Sequence, residues 1–197
     1  MVTDTTAAAD TLRTGVPPHA TTPLGRLLAD PEARERVRHV ERLPSRAATA
    51  GEWPDWVPAS LVAAMAATGA TRPWSHQVAV AEHAWAGRSV VVATGTASGK
   101  SLGYLLPAIS AAMTTKATSL YIAPTKALAG DQLRVISRLG AGAVRAATVD
   151  GDCSVEERDW ARRHADIVLT NPDMLHHGLL PGHARWAAFF KSLRFGA

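Results

Sequence analysis

The residues Thr94-Gly95-Thr96-Ala97-Ser98-Gly99-Lys100-Ser101 stand directly after the apolar run Ser89-Val90-Val91-Val92-Ala93 and directly before an amphipathic run through Leu102, Leu105, Leu106 and Ile109. An apolar strand, a tight glycine-containing bend and a helix, in that order, constrain the fold more than any other feature of the chain. Such a bend turns several backbone N–H groups and a helix N-terminus toward one point, which is a site for phosphate. In that reading Gly99 permits close approach of the backbone, Lys100 reaches the β and γ oxygens as a point charge, and the Ser101 hydroxyl holds Mg2+. The strict pattern G-x-x-x-x-G-K-S/T asks for glycine where Thr94 stands; the glycine comes one place later, at Gly95.

The surrounding pattern is α/β. A helix is predicted from Ser75 to Ala86, ended by Gly87, and Ser89 to Ala93 reads as a buried strand. Three more strands are predicted at Ser119 to Ala123, Ala143 to Val149 and Asp166 to Thr170, with helices starting near Lys100, Lys126 and Ser154. Strands alternating with helices imply a parallel sheet wrapped by helices.

Upstream, residues 1–23 are rich in Thr, Ala and Pro without an apolar period and read as a flexible tail. Residues 24–70 read as a helical extension. One helix is signalled by Asp30 as N-cap with Pro31 behind it, closed by Pro44; another runs from Ala59 to Thr68 with Gly69 as its cap. Trp53 and Trp56 have no basic residues interleaved with them and are expected to pack, not to stack on bases. Residues 71–197 form the α/β domain.

Composition narrows the function. The 197 residues, 47% apolar, suffice for one globular domain, and a net charge of +4 suits an anionic partner without specifying it. Cys153 is the sole cysteine, which excludes an internal disulfide and a cysteine-built zinc site and suits a reducing, cytoplasmic setting. Residues 1–12 lack a secretory pattern, and no run is long enough to span a membrane. His176, His177 and His183 have no acidic or cysteine partner at ligand spacing and read as solvent-facing; Asp152, Glu156, Glu157 and Asp159 read as an acidic helix start.

Four segments in fixed order carry a family resemblance. Ala93 to Ser101 resembles motif I of superfamily 2 DEAD/DEAH-box helicases, which tolerate a residue other than glycine at the first position. Arg72-Pro73-Trp74-Ser75-His76-Gln77 resembles their adenine-reading segment, which implies adenine binding by Gln77, whose amide offers a donor and an acceptor. Ala123-Pro124-Thr125-Lys126-Ala127-Leu128-Ala129 resembles motif Ia, and Thr170-Asn171-Pro172-Asp173-Met174-Leu175 resembles motif Ib. Both imply contacts to the backbone of a bound strand, from Pro124, Thr125 and Lys126 and from Thr170 and Asn171. The wording of the region from Arg72 to Phe195 is similar to the Lhr/YprA-like branch of DNA-repair helicases.

The resemblance implies a RecA-like P-loop domain that binds ATP with Mg2+ and contacts DNA, with RNA as a possible substitute. In the family a strand ending in an Asp-Glu motif follows, then a second motor domain; this sequence ends at Leu193-Arg194-Phe195-Gly196-Ala197, where that strand is expected to begin. The expectation is therefore a truncated first motor domain, incomplete at its C-terminal side, with very slow hydrolysis and no unwinding of its own. Two alternatives stay open: a non-catalytic nucleotide- and DNA-binding remnant, and a small P-loop phosphotransferase.

Overall fold

A computed structural model of the chain describes residues 22–41, 49–95, 98–140 and 142–197. Most of the expected tail, Pro44, and Thr96 and Ala97 of the phosphate loop lie outside the described residues. The chain divides into two compact units, residues 1–47 and 48–197.

The first unit holds two short helices, α1 (Pro23–Ala29) and α2 (Pro31–Arg36). Each is started by a side chain that accepts an otherwise unpaired N–H: the Thr22 hydroxyl from Gly25 and the Asp30 carboxylate from Glu32, both at 3.0 Å. Helix α2 ends well before Pro44, because Val37 adopts extended backbone (φ −74°, ψ 116°).

The second unit contains α3 (Ala59–Ala67), α4 (Ser75–Trp85), α5 (Ser101–Thr114), β1 (Thr118–Ile122), α6 (Lys126–Gly140), β2 (Ala146–Thr148), α7 (Val155–His164), β3 (Ile167–Thr170), α8 (Pro172–Met174), a π-helical turn (Leu175–Leu179), α9 (Ala187–Lys191) and β4 (Leu193–Gly196). The sheet is parallel throughout, in the order β2-β3-β1-β4.

Alternate strand residues build a core on each face, as the pleat requires. Ile167 and Leu169 join Leu61, Met65, Ala81, Leu106, Ile109 and Ile136 from α3 to α6. Val168 and Leu120 point the other way, to Ala161, Leu179, Trp186 and Phe189. Because α3 supplies Leu61 and Met65 to the first core, the α/β body reaches back to residue 48, ahead of the boundary expected at 71. Trp56 packs as expected, its ring stacked on Trp85 at 4.3 Å.

Helices α4 and α5 approach closely at Gly103, where an added Cβ would lie 2.8 Å from Val80 Cγ1. Asp166 accepts from the Arg145 backbone N–H (2.9 Å) and guanidinium (2.8 Å) just ahead of β3, which fixes the β2–β3 edge.

One expectation is corrected. Ser89 to Ala93 forms no ladder, and Val91 is 94% exposed. A buried parallel strand is stabilised by partners on both sides. Among the described residues the sheet ends at β4, which pairs with β1, and no further strand encloses the valines.

Candidate nucleotide and nucleic-acid site

Helix α5 starts at Ser101, one residue after the position expected, with Lys100 as its half-helical first residue (φ −47°, ψ −33°). The residue before it, Gly99, has φ +72°. A left-handed residue followed by a right-handed one turns successive N–H groups to the same side, and the helix N-terminus adds its own. The Lys100 ammonium folds back over the loop and donates to the Thr94 carbonyl (3.0 Å) and the Gly95 carbonyl (2.6 Å). The Thr94 and Ser98 hydroxyls are 2.7 Å apart. This donor set, a lysine, a serine hydroxyl at a helix start and backbone amides, fits a triphosphate with Mg2+; Lys100 and Ser101 would hold it, and the metal would neutralise phosphate charge.

Carbonyls in such a bend point away from the anion side and need donors of their own. Two consecutive residues of α4 supply them. His76 Nε2 lies 3.0 Å from the Ser98 carbonyl oxygen, and Gln77 Nε2 donates to the Gly99 carbonyl at 2.8 Å. Gln77 is 6% exposed, and its Oε1 accepts from the Trp74 backbone N–H at 2.8 Å. In this conformation the amide expected to face adenine is spent on the helix start and the loop.

The carboxyl ends of three neighbouring strands bring the second group together, as loops following parallel strands do. Ile122 of β1 is in register with Thr170 of β3, and the Ala123 N–H donates to the Thr170 carbonyl at 2.7 Å, so Pro124 to Lys126 and Asn171 leave the sheet side by side. Pro124, Thr125 and Lys126 are exposed. The Thr125 hydroxyl accepts from the Leu128 N–H (3.2 Å), and Asn171 Oδ1 from the Met174 N–H (2.8 Å), so both start helices. Thr170 is buried, and its hydroxyl donates to the Val149 carbonyl at 2.7 Å; it aligns β2 with β3 and offers nothing to solvent.

Two partners, one at this edge and one at the phosphate loop, escape a reading of the sequence. Asp152, in the loop after β2, pairs with Lys126, and this hydrogen bond raises the lysine pKa. By sequence Asp152 belongs with an acidic helix start, yet α7 is capped by Ser154 and Glu157, which exchange hydrogen bonds at 3.1 and 2.8 Å. His76 is marked in the sequence only as the neighbour of Gln77. Asp150 accepts from the Asp152 N–H at 2.8 Å and shapes the same loop.

Among the described residues no group of three or more His, Cys, Asp or Glu side chains is placed to hold a metal ion. Among them, too, no helix is long and apolar enough to cross a membrane.

The DEAD/DEAH box helicase family model matches residues 74–195. The chain is 35% identical over 177 residues to the ATP-dependent helicase YprA of Bacillus subtilis, an alignment covering 87% of this chain and 24% of the relative. It is 39% identical over 129 residues to the ATP-dependent helicase hrq1 of Schizosaccharomyces pombe, covering 62% of this chain and 12% of that one. Among solved structures, the helicase MrfA bound to DNA and AMPPNP superposes with a TM-score of 0.71 at 37% identity, over 77% of this chain and 22% of that one. The chain thus spans about a quarter or less of the length of these relatives.

Proposed function

Because this chain belongs to the DEAD/DEAH box helicase family, we propose that it is the ATP- and nucleic-acid-binding part of the first motor domain of an ATP-dependent DNA helicase. The observation that supports this most is the turn at Gly99, Lys100 and Ser101, where a left-handed glycine, an inward ammonium and a helix start share one loop. Lys100 binds the β and γ oxygens, Ser101 holds Mg2+, and Gln77 sets the loop; adenine binding by Gln77 requires its amide to leave Trp74 and Gly99. Pro124, Thr125, Lys126 and Asn171 hold the sugar-phosphate backbone of the strand, with Thr170 positioning Asn171. MrfA was solved with DNA, which favours DNA over RNA as the strand. Unwinding belongs to the longer helicase and requires the second motor domain.

The test is a titration of the purified chain with a fluorescent ATP analogue, with and without Mg2+, and with a labelled single-stranded oligonucleotide, alongside phosphate release. Saturable, Mg2+-dependent nucleotide binding and salt-sensitive DNA binding are expected. No nucleotide binding would overturn the proposal. DNA-stimulated phosphate release would exclude the reading as a non-catalytic binding module, and substrate-dependent ADP formation with no effect of DNA would favour a phosphotransferase.

A further inference from the structure

Beside the phosphate loop, the imidazole of His76 has no role assigned by the motif match, although it reaches the loop directly. We propose that His76 is a positioning residue for the nucleotide site: its Nε2–H holds the Ser98 carbonyl turned outward, so that the Gly99 N–H of the same peptide stays turned inward toward phosphate. The inference rests on the reading of this loop as a nucleotide site.

A loop that cradles an anion presents N–H groups on its inner side, and the planarity of each peptide then forces the paired carbonyl to the outer side. A carbonyl left there without a donor would relax by rotating its peptide, which would swing an N–H away from the anion. Two adjacent carbonyls, of Ser98 and Gly99, meet two adjacent side chains of the first turn of α4, His76 at 3.0 Å and Gln77 at 2.8 Å. The two contacts serve different carbonyls: the Gln77 amide nitrogen donates to Gly99 and its oxygen accepts from the Trp74 N–H, while His76 reaches Ser98. Since a carbonyl oxygen can only accept, the proton on His76 sits at Nε2. Helix α4 is itself packed against the first turn of α5 at the close approach of Gly103 to Val80, so the two donors are mounted on a support beside the start of the helix that follows the loop.

Three variants of the full chain separate this role from a general one: His76→Ala, which removes the donor; His76→Gln, whose side-chain amide carries an N–H at similar reach; and Lys100→Ala as the reference for the site. The measured quantities are the dissociation constant for a fluorescent non-hydrolysable ATP analogue with Mg2+, the dissociation constant for a single-stranded oligonucleotide, and the melting temperature. Loss of one hydrogen bond that orients the loop corresponds to a weakening of about five- to tenfold in nucleotide affinity. His76→Ala should show that weakening with oligonucleotide affinity and melting temperature held, and His76→Gln should recover most of it.

Wild-type nucleotide affinity in His76→Ala, or no recovery in a His76→Gln variant that melts like wild type, overturns the inference. So does a parallel loss of nucleotide affinity, oligonucleotide affinity and melting temperature in both variants, which would make His76 a general support of α4. If Lys100→Ala keeps its nucleotide affinity, the reading of the site itself fails; if Lys100→Ala loses it and His76→Ala does not, only the role of His76 fails.

Discussion

The side-chain nitrogen of Gln77 sits 2.8 Å from the Gly99 carbonyl, and a Cβ placed on Gly99 would come within 2.5 Å of that same nitrogen. Residue 99 is therefore held to glycine twice, by its left-handed backbone at φ +72° and by the amide beside it. Gly99→Ala should cost about 1–2 kcal/mol through the backbone alone and displace Gln77 from the loop. Isothermal titration with an ATP analogue should show at least about a tenfold loss of affinity, the equivalent of about 1.4 kcal/mol. A Gly99→Ala variant that binds as tightly as wild type would contradict this geometry.

Lys126 carries the cation expected to meet a strand phosphate, but in this structure it is paired with Asp152. Any phosphate must displace that carboxylate or share the ammonium with it. Asp152→Asn should therefore raise affinity for a single-stranded oligonucleotide severalfold at low salt, the modest effect expected of an exposed pair. Fluorescence anisotropy across a salt series checks it, and unchanged or weaker binding would count against a phosphate site at Lys126. The pair raises the lysine pKa, so its contribution is complete at and below the ordinary lysine range and is lost only as pH climbs beyond it. The Asp152 effect should accordingly hold constant from about pH 6 to about 9.

Cys153 lies in the same loop with its thiol donating to the Thr148 carbonyl at 3.3 Å. Burial pushes the Cys153 thiol pKa up, with the nearby Asp150 and Glu157 carboxylates adding to the rise, so the thiolate fraction at neutral pH falls below that of an ordinary cysteine. Alkylation of the native chain at about pH 7.5 should be slower than that of the urea-unfolded chain, and its rate-versus-pH midpoint should move upward on folding. Equal rates in both states would show the thiol to be unperturbed.

The elements bounded by strong local signals are the legible ones. The capping side chains of Asp30 and Ser154 and the left-handed Gly69 and Gly87 mark helix ends whatever the rest of the chain does. Residues whose partners come from distant sequence are not legible in that way. Val90 to Val92 have the composition of a buried strand, but burial needs flanking strands, and the sheet of the described residues places none there. Gln77 carries the donor and acceptor that adenine requires, yet the same two atoms suit Trp74 and Gly99, and only the packing of α4 against the loop decides between them. Thr170 likewise reads as an exposed hydroxyl at a strand end, and only the β2–β3 pairing shows that Val149 takes it. The meeting of Lys126 with Asp152 spans 26 residues and depends on two strands lying on either side of β3.

The decisive measurement is the affinity of Lys100→Ala for a Mg2+-bound ATP analogue. The Lys100 ammonium sits over the loop, on the Thr94 and Gly95 carbonyls, so its removal takes away the positive charge placed to reach the triphosphate. The account predicts a loss of about a hundredfold or more, at the upper end of what a charge-assisted contact contributes, with the melting temperature and oligonucleotide affinity preserved. Nucleotide affinity equal to that of the wild-type chain would contradict it.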